Sequence, residues 1–435
     1  MLKAIGIDSI EELYSQLPAR IKLTKPLNLS SGLSEHKTKK RVSALAKKNV
    51  PAEEFNSFLG AGCYDHYVPS VVPFILSSSQ FLTAYTPYQP ECSQGALQAI
   101  YEYQSYMCLL TGMDISNASL LDGASAFAEA VLMSLRITKK KKVIVAGIFH
   151  PEYRQTLKAY LAGFDFVIRE IAEGTDGLVD TEALKQALDN DTGCCAFSSP
   201  NFFGLIEDAP KLADIAKRYG TLTVLVTNPI SLAILKEPGA FGVDIVCGDG
   251  QPLGSGLNFG GPSFGYLATK KEYTRQMPGR LVGKTTDREG KCAYCLTLQT
   301  REQHIRREKA TSNICSNQSL NAIGAAVYLA LMGPQGLRNS ALCSFNNTLY
   351  LYNQLKPLKK INLPFGPRIF NEFVWEVKNA QKIIEQLYRR NIIAGYYLGE
   401  QFPEYKNGIL SCCTEKKTKE EIDELVGVLR EVPGG

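Results

Sequence analysis

The chain has 435 residues, of which 45% are hydrophobic and 21% are charged, and both fractions are ordinary for a soluble globular protein with more than one domain. Its net charge of +5 comes from 48 basic and 43 acidic residues, and the basic block at 139–142 predicts a solvated loop and not a nucleic-acid site. No apolar run approaches the ~20 residues that span a bilayer, and the N-terminus does not resemble a signal peptide, so we expect a cytosolic protein with no membrane contact.

The first 60 residues indicate a polar, helical arm. Ser9 and Glu12 have the spacing of a capping box in front of an amphipathic turn, and a loop rich in serine and lysine at 30–40 precedes a short helix. From the pattern along the whole chain we predict an N-terminal helical arm at 1–60, a large domain at 61–310 and a small C-terminal α/β domain at 311–435.

An aromatic, proline-rich segment follows at 81–95. It has too many prolines for a helix and too many polar residues for an ordinary strand, and it carries Tyr85, Tyr88 and Glu91. One interpretation is a packed loop. The other is a loop that lines a site, because prolines fix the backbone angles and therefore the direction in which the phenols and the carboxylate point. The residues alone leave both interpretations open.

From about residue 110 the pattern alternates between helices and strands. Apolar residues from Ala124 to Leu135 fall on one face of a helix, and the next helix begins at Pro151, a favoured first-turn position for proline. Alternation of this kind predicts a mostly parallel sheet that is covered on both faces. The remaining predicted helices are 181–188, 209–219 and 320–332, and the predicted strands are 143–149, 194–198, 221–226, 243–246 and 264–268.

Asp122, Gly123 and Ser125 open the first of these helices. A glycine and small side chains at a helix N-terminus leave backbone N–H groups free, and with the helix dipole they favour an anion such as a phosphate group. The sequence favours the simpler interpretation, in which Asp122 or Ser125 caps the helix.

The segment 244–268 has a glutamine, Gln251, where its surroundings predict a lysine. It indicates a strand, a tight turn, a glycine-rich run and a second strand. In pyridoxal-phosphate (PLP) enzymes of the aspartate aminotransferase fold, this arrangement carries the lysine that forms an imine with the cofactor. Glutamine cannot form that imine, and Lys270 and Lys271 follow the second strand, where we expect them in solvent.

The acid that such enzymes place beneath the pyridine nitrogen is also missing. The strand that would carry it ends at Thr227 and Asn228, and neither residue is an acid. The sequence therefore predicts a PLP-enzyme fold that does not hold PLP itself.

Metal binding is not predicted. The twelve cysteines are scattered, and Cys292 and Cys295 form a lone C-x-x-C pair without the second pair or the histidines that a zinc site requires.

Five separated segments together resemble the glycine decarboxylase P-protein family, and most closely the alpha chains (subunit 1) of its two-chain bacterial form. The similarity covers nearly the whole chain. Its segments are Ser57–Pro69, Thr83–Glu91, Ser198–Gly204, Gly248–Gln251 and Arg301–Glu308.

This resemblance implies an α/β fold of PLP-dependent transferases, fold type I, and a division of labour between two subunits. Only the beta subunit carries PLP, on its lysine, and the pair decarboxylates glycine and passes the aminomethyl group to the lipoyl arm of the H-protein. Gln251 then occupies the position of the beta lysine, and Gly123 and Ser125 form a vestigial phosphate turn. Tyr85, Tyr88 and Glu91 are the residues expected to complete the beta site across the interface.

Two other functions stay open from the sequence. One is a degenerate PLP fold that acts alone in binding or regulation, and the other is a complete PLP enzyme that uses an unrecognised lysine. For the histidines we favour a structural role for His66 and a vestigial one for His150. His304 is either a surface-helix residue or a contact to the partner or the H-protein.

Overall fold

A computed structural model describes residues 1–314 and 317–431. The chain separates into two compact units, Met1–Glu54 and Phe55–Gly435. The first unit buries none of its residues, and the predicted capping box is present there, with the Ser9 N–H donating to Glu12 Oε1 at 3.0 Å. Its longer helix begins at Glu35, inside the predicted loop, because the Ser34 hydroxyl accepts from the Lys37 N–H and caps the helix. The predicted boundaries at residues 60 and 310 stay predictions.

The helices of both units vary widely in length. Within the described residues they are α1 (Leu2–Ile5), α2 (Glu35–Ala46), α3 (Val71–Leu76), α4 (Ser79–Leu82), α5 (Gln94–Thr111), α6 (Gly123–Thr138), α7 (Pro151–Leu161), α8 (Thr181–Ala187), α9 (Ala209–Arg218), α10 (Gln303–Arg306), α11 (Ser319–Leu355), α12 (Ala380–Tyr388) and α13 (Lys419–Glu431).

The strands belong to a large central sheet, a smaller sheet near the C-terminus and two short pairs. They are β1 (Asn56–Ser57), β2 (Ile115–Ser116), β3 (Lys142–Ala146), β4 (Val167–Ile171), β5 (Thr192–Ser198), β6 (Leu222–Val226), β7 (Ile245–Asp249), β8 (Gly265–Thr269), β9 (Leu281–Thr286), β10 (Cys292–Thr297), β11 (Ile361–Asn362), β12 (Glu372–Val377), β13 (Ile392–Ile393), β14 (Tyr396–Tyr397) and β15 (Gly408–Cys412).

The central sheet has seven strands in the order β2-β8-β7-β6-β5-β3-β4. It is parallel except for β8, which runs antiparallel to both of its neighbours, so the predicted mostly parallel sheet is confirmed. The central strands are buried on both faces, as their continuous apolar runs require. Alternate residues of β3 and β5 pack against α6 and α7 on one face, and the residues between them contact α8 and α9 on the other.

A second, four-stranded antiparallel sheet, β11-β12-β15-β14, forms the smaller α/β part near the C-terminus. It shares a separate apolar core with α12, α13 and the end of α11. The short strand β1 pairs in parallel with β13, so the chain just after the first unit is tied to this part.

Helix α11 is longer than the predicted helix at 320–332. It contains a break at Gly333, whose φ of 57° favours glycine, and Pro334 follows, so two helical segments meet at a kink. By length and composition alone α11 could cross a membrane, but 44% of its most apolar window is buried inside the fold, where it packs against α3 and α5.

Candidate functional site

A cleft lies at the carboxyl ends of β3, β5, β6 and β7, the edge of an α/β sheet where ligands usually bind. It encloses about 640 Å³ of empty space that is partly open to solvent. His150, Ser198, Thr227 and Asp249 line it from the large sheet, and Glu372 lines it from β12. Parts of the chain that are far apart in sequence therefore meet at this cleft.

Gln251 is buried beside this cleft, with 3% of its surface exposed, and its amide group is fully used. Oε1 accepts the backbone N–H of Tyr64 at 2.9 Å, while Nε2 donates to the carbonyls of Tyr64 at 2.9 Å and of Ser255 at 2.8 Å. Only an amide offers an acceptor and two donors here, whereas a lysine would leave the Tyr64 N–H without an acceptor. Gln251 therefore ties its turn to the segment before α3.

Asp122 caps α6, as the simpler interpretation predicts. Its Oδ1 accepts the Ser125 N–H at 2.8 Å, and the Ser125 hydroxyl accepts the Asp122 N–H at 3.1 Å, which completes a capping box. The Ser125 hydroxyl is thus used inside the chain.

Asp249, at the end of β7, also accepts a hydrogen bond at the N-terminus of α6. Its Oδ2 accepts the Gly123 N–H at 3.0 Å, and its Oδ1 accepts the Gln251 N–H at 2.8 Å and the Ser263 hydroxyl. Burial raises the pKa of Asp249, and these three donated bonds oppose that rise. Sequence reasoning missed this residue, although an acid two positions before Gln251 was a visible signal.

Glu372 is a second buried carboxyl that sequence reasoning missed. Its Oε1 accepts the Ala61 N–H at 3.0 Å, and burial raises its pKa to about 8 although the Tyr64 hydroxyl and backbone N–H groups donate to it. It is therefore largely protonated at neutral pH. Nothing in the sequence around residue 372 marks it, because its partners come from a segment 311 positions earlier.

His150 and His66 are both held by bonds inside the chain. His150 caps α7 by accepting the Glu152 N–H at its Nδ1, and its Nε2 lies 3.0 Å from the Ala61 carbonyl oxygen. Burial lowers its pKa, which favours a neutral ring that donates from Nε2. His66 Nδ1 lies 2.7 Å from a Glu415 oxygen. Burial raises the pKa of that carboxyl, but His66 and backbone N–H donors together outweigh burial, and the pKa falls to about 2.

At the tip of β6, Thr227 and Asn228 lie in the cleft wall, as expected for residues beneath a cofactor ring. The Thr227 hydroxyl donates to the Ser199 carbonyl at 2.6 Å, and Asn228 Oδ1 accepts the Ile230 N–H at 2.9 Å. No acid lies at this tip. Asn228 Nδ2 is buried without a partner among the described residues.

The proline-rich segment presents its three expected site residues differently. Tyr88 Oη accepts a hydrogen bond of 2.7 Å from Arg280 Nη2, and the guanidinium also lies over its ring, 5.1 Å from the centroid. The Tyr85 side chain is 77% exposed and Glu91 is also exposed. None of the three is among the described residues that line the cleft.

Arg280 organises a group of side chains around Tyr88, which we call the Tyr88 cluster (Thr86, Tyr88, Arg280, Glu302, His304 and Asn317). The buried guanidinium donates to Thr86 Oγ1 at 3.1 Å and to Asn317 Oδ1 at 3.3 Å, and its Nε lies 3.7 Å from Glu302 Oε2. The His304 ring lies 5.8 Å from the Tyr88 ring, edge to face. Sequence reasoning named Tyr88 and His304 separately and missed the arginine that joins them.

The expectation that Lys270 is solvated was wrong. The Lys270 ammonium group pairs with Asp244 Oδ1 and also lies within hydrogen-bond distance of the Gly242 carbonyl oxygen. Only 32% of the Lys270 side chain is exposed. Lys271 is exposed. Cys292 and Cys295 lie on β10, and within residues 1–314 and 317–431 no group of three or more His, Cys, Asp or Glu side chains is arranged to hold a metal ion.

The glycine cleavage system P-protein family matches residues 1–429. The chain belongs to this family. It is 50% identical over 429 residues to a protein of Carboxydothermus hydrogenoformans named probable glycine dehydrogenase (decarboxylating) subunit 1, a match that covers 99% of this chain and 96% of the relative. A protein of the same name from Desulforamulus reducens is 48% identical over 432 residues, which is 99% of this chain and 96% of that one.

Solved structures agree with the family and the fold. A crystal structure of glycine decarboxylase (P-protein) of the glycine cleavage system, in inhibitor-bound form, is 41% identical with a TM-score of 0.91, covering 100% of this chain and 97% of that one. A NifS-like protein at 14% identity, with a TM-score of 0.65 over 86% of this chain and 98% of its own, shares the fold alone. The resemblance and the PLP-transferase fold inferred from sequence are confirmed, and the predicted function agrees with the relatives' names.

Proposed function

We propose that the chain is subunit 1 of a two-subunit glycine dehydrogenase (decarboxylating) and that a second subunit holds the PLP. The observation that carries this proposal is Gln251 at the lysine position, buried and saturated by three hydrogen bonds. A side chain fixed in this way cannot form the imine. The pair would decarboxylate glycine and transfer the aminomethyl group to the lipoyl arm of the H-protein.

The cleft of this chain does not fit PLP. It lacks the imine lysine, it has no acid beneath the expected ring position, and its described lining contains no lysine or arginine. When PLP is bound in the partner, it supplies the electron sink for the loss of the glycine carboxyl group. This chain contributes to the reaction from outside its own cleft.

That contribution is the proline-rich loop. Tyr85, Tyr88 and Glu91 would help to complete the partner's site, where phenols can donate to a carboxylate or to the lipoyl arm without adding a charge. Pro87 is buried between Thr86 and Tyr88, and Arg280 bonds to both of these neighbours, so the loop is held rigidly enough to position a substrate.

The exposure of the first unit, Met1–Glu54, supports the proposal of an obligate partner. It buries none of its residues, so its apolar side chains have no core of their own. We expect it to pack against the second subunit in an interface larger than ~2,000 Å² in total. The pair would work in the cytosol. The exposed apolar residues of this unit include Ile10, Leu13, Ile21, Leu23, Leu27, Leu29, Val42 and Leu45.

The test is to purify this chain alone, the second subunit alone and the two together. We expect the exchange of bicarbonate with the glycine carboxyl group only in the mixture, and the absorbance of a PLP imine only where the second subunit is present. Borohydride reduction should label no residue of the segment 244–265. A monomeric chain that catalyses exchange alone would contradict the proposal, and exchange by the second subunit alone at the full rate would favour a stand-alone binding or regulatory role.

A further inference from the structure

We infer that Asp249 is a built-in anion at the N-terminus of α6, and that it makes this cleft reject phosphate-bearing cofactors independently of Gln251. The proposed function concerns which subunit holds the cofactor. This inference goes beyond it, because it predicts that restoring the lysine alone would not restore cofactor binding.

The N-terminus of α6 already binds two carboxylates of the chain, those of Asp122 and Asp249. A phosphate group binds to a helix N-terminus through free N–H groups and the positive end of the helix dipole. Here the Gly123 N–H donates to Asp249 Oδ2 at 3.0 Å, and the Ser125 N–H donates to Asp122 Oδ1 at 2.8 Å. Two of the N–H donors that a phosphate would use at this turn are therefore already bonded to carboxylates of the chain itself.

Tyr153 and Asp249 also pack directly against Gly123. A Cβ atom placed on Gly123 would lie 1.9 Å from Tyr153 Oη, 2.7 Å from the Asp249 backbone nitrogen and 2.8 Å from Asp249 Cβ. Even one added carbon does not fit on Gly123, and a phosphate could accept the Gly123 N–H only if Asp249 Oδ2, which accepts it now, moved away. Asp249 is held by Ser263 and by the Gln251 N–H, which oppose such movement.

The charges around the turn also disfavour a phosphate group. The cleft and the adjoining opening beside Gly62 have no lysine or arginine among their described lining residues. They carry the carboxylates of Asp122, Glu152 and Asp249 instead, and Glu372, which is largely protonated at neutral pH, adds no cation. A phosphate dianion that entered would meet like charge with no cation to offset it, which disfavours its binding beyond the loss of the helix terminus.

The experiment uses the full chain in phosphate-free buffer and four variants: Gln251→Lys, Asp249→Ser, the double variant of these two, and Asp249→Asn. Inorganic phosphate binding is measured by calorimetry and by ³¹P NMR. PLP binding is measured by absorbance and by borohydride trapping, with the labelled residue located by mass spectrometry. Glu152→Gln is the matched control, because it removes a carboxylate from the rim of the same opening and leaves the helix terminus filled.

We expect Asp249→Ser to bind phosphate at least about tenfold more tightly than the unmodified chain, which corresponds to about 1.4 kcal/mol, and Glu152→Gln to change it less than about threefold. The double variant should trap PLP on residue 251 at least about tenfold more tightly than Gln251→Lys. Asp249→Asn keeps the size of the side chain and removes its charge, so its gain in phosphate affinity should be smaller than that of Asp249→Ser. It replaces the serine variant in the test if that variant does not fold.

Two results would overturn the inference: PLP trapped by Gln251→Lys alone as tightly as by the double variant, or no gain in phosphate affinity in either folded Asp249 variant. Neither result bears on the proposed function, which fails only if the unmodified chain holds PLP covalently or is active alone.

Discussion

Two polar regions of this chain have the residue types of an active site, and they differ in how their polar atoms are satisfied. In the cleft, Gln251 and Asp249 have hydrogen-bond partners within the chain, and Asn228 Nδ2 is the exception. In the Tyr88 cluster, Arg280 Nε and Glu302 Oε1 are buried without hydrogen-bond partners among the described residues. The polar groups of the first region make mostly structural contacts, whereas the second has buried polar atoms without hydrogen-bond partners close to exposed phenols.

The difference shows how polar groups in a cleft can be stabilised by contacts within the chain itself. An unpaired buried polar group costs about 1–3 kcal/mol, so a cleft without its ligand is stable when its own side chains replace the ligand's contacts. Gln251 and Asp249 make such contacts within the chain. In the Tyr88 cluster, Arg280 Nε lies 3.7 Å from Glu302 Oε2 but makes no hydrogen bond to it, so this network is satisfied less completely.

The largest expected effect is at Arg280. Arg280→Met leaves Glu302 buried without its cation and removes the bonds to Thr86 and Tyr88, so we expect a loss of about 3–5 kcal/mol in the free energy of unfolding. Arg280→Lys keeps the positive charge and loses the planar guanidinium group. Its free energy of unfolding should therefore lie between those of Arg280→Met and the unmodified chain. Urea unfolding measures both variants.

Arg275→Met is the control for Arg280, because Arg275 is exposed in the same segment and should change stability by less than about 0.5 kcal/mol. If Arg280→Met lay within about 1 kcal/mol of the unmodified chain, the Tyr88 cluster would not be the buried network described here.

The next expected effect concerns the cleft and is a pH dependence of the free energy of unfolding. Glu372 has an ordinary pKa of 4.5 in the unfolded chain and about 8 when folded, because burial penalises its charge. Between these values the folded state binds the extra proton, so the stability that Glu372 contributes is fully present below pH 4.5 and is lost as pH rises through 8. Its slope is at most about 1.4 kcal/mol per pH unit.

Glu372→Gln should remove that slope, and urea unfolding at pH 5, 6, 7 and 8 measures it. Glu207, whose pKa burial raises to about 7, adds a slope of the same sign to both proteins, so the comparison isolates Glu372. Glu376→Gln on the same strand is the control and should leave the slope in place. Parallel curves for Glu372→Gln and the unmodified chain would mean that Glu372 stays ionised in the folded chain.

Much of the fold could be predicted from local sequence. Apolar runs predicted the buried parallel strands, and the helix pattern from Ala124 placed the start of α6 within a residue. Other elements were missed, among them α5, the β9–β10 hairpin and β4. Helix α5 has regularly spaced apolar residues that could have been found, most residues of the β9–β10 hairpin are not buried, and β4 is a largely exposed edge strand whose pattern is weak.

The candidate site could be predicted only at positions where the identity of a single residue is informative by itself. Gln251 stands out because lysine chemistry permits no substitute, and Tyr88 because prolines surround it. Arg280 and Glu372 could not be found, since each acquires its role from residues 192 and 311 positions away in the chain. Such long-range pairs leave no local pattern.

A smaller effect is expected at Gln251. Gln251→Ala removes three buried hydrogen bonds and leaves the Tyr64 N–H and two carbonyls unpaired, so we expect a loss of about 2–3 kcal/mol in the free energy of unfolding. Gln401→Ala, at an exposed position on the opening beside Gly62, is the control and should change little. A Gln251→Ala chain as stable as the control would remove the structural role that distinguishes the cleft from the Tyr88 cluster.

The smallest effect, and the one that tests the other half of the comparison, is on activity. Tyr88→Phe removes the acceptor for Arg280 Nη2, and Tyr85→Phe removes an exposed phenol on the same loop. In the assembled pair we expect each to lower kcat/KM by about 1–3 kcal/mol of transition-state stabilisation, with assembly and PLP content unchanged. Tyr67→Phe, an exposed phenol outside this loop, is the matched control. If the exchange rate is unaltered in both loop variants while the pair stays intact, the loop only packs; if Tyr85→Phe alone lowers the rate, Tyr88 serves to hold the loop and Tyr85 is the residue that reaches the partner's site.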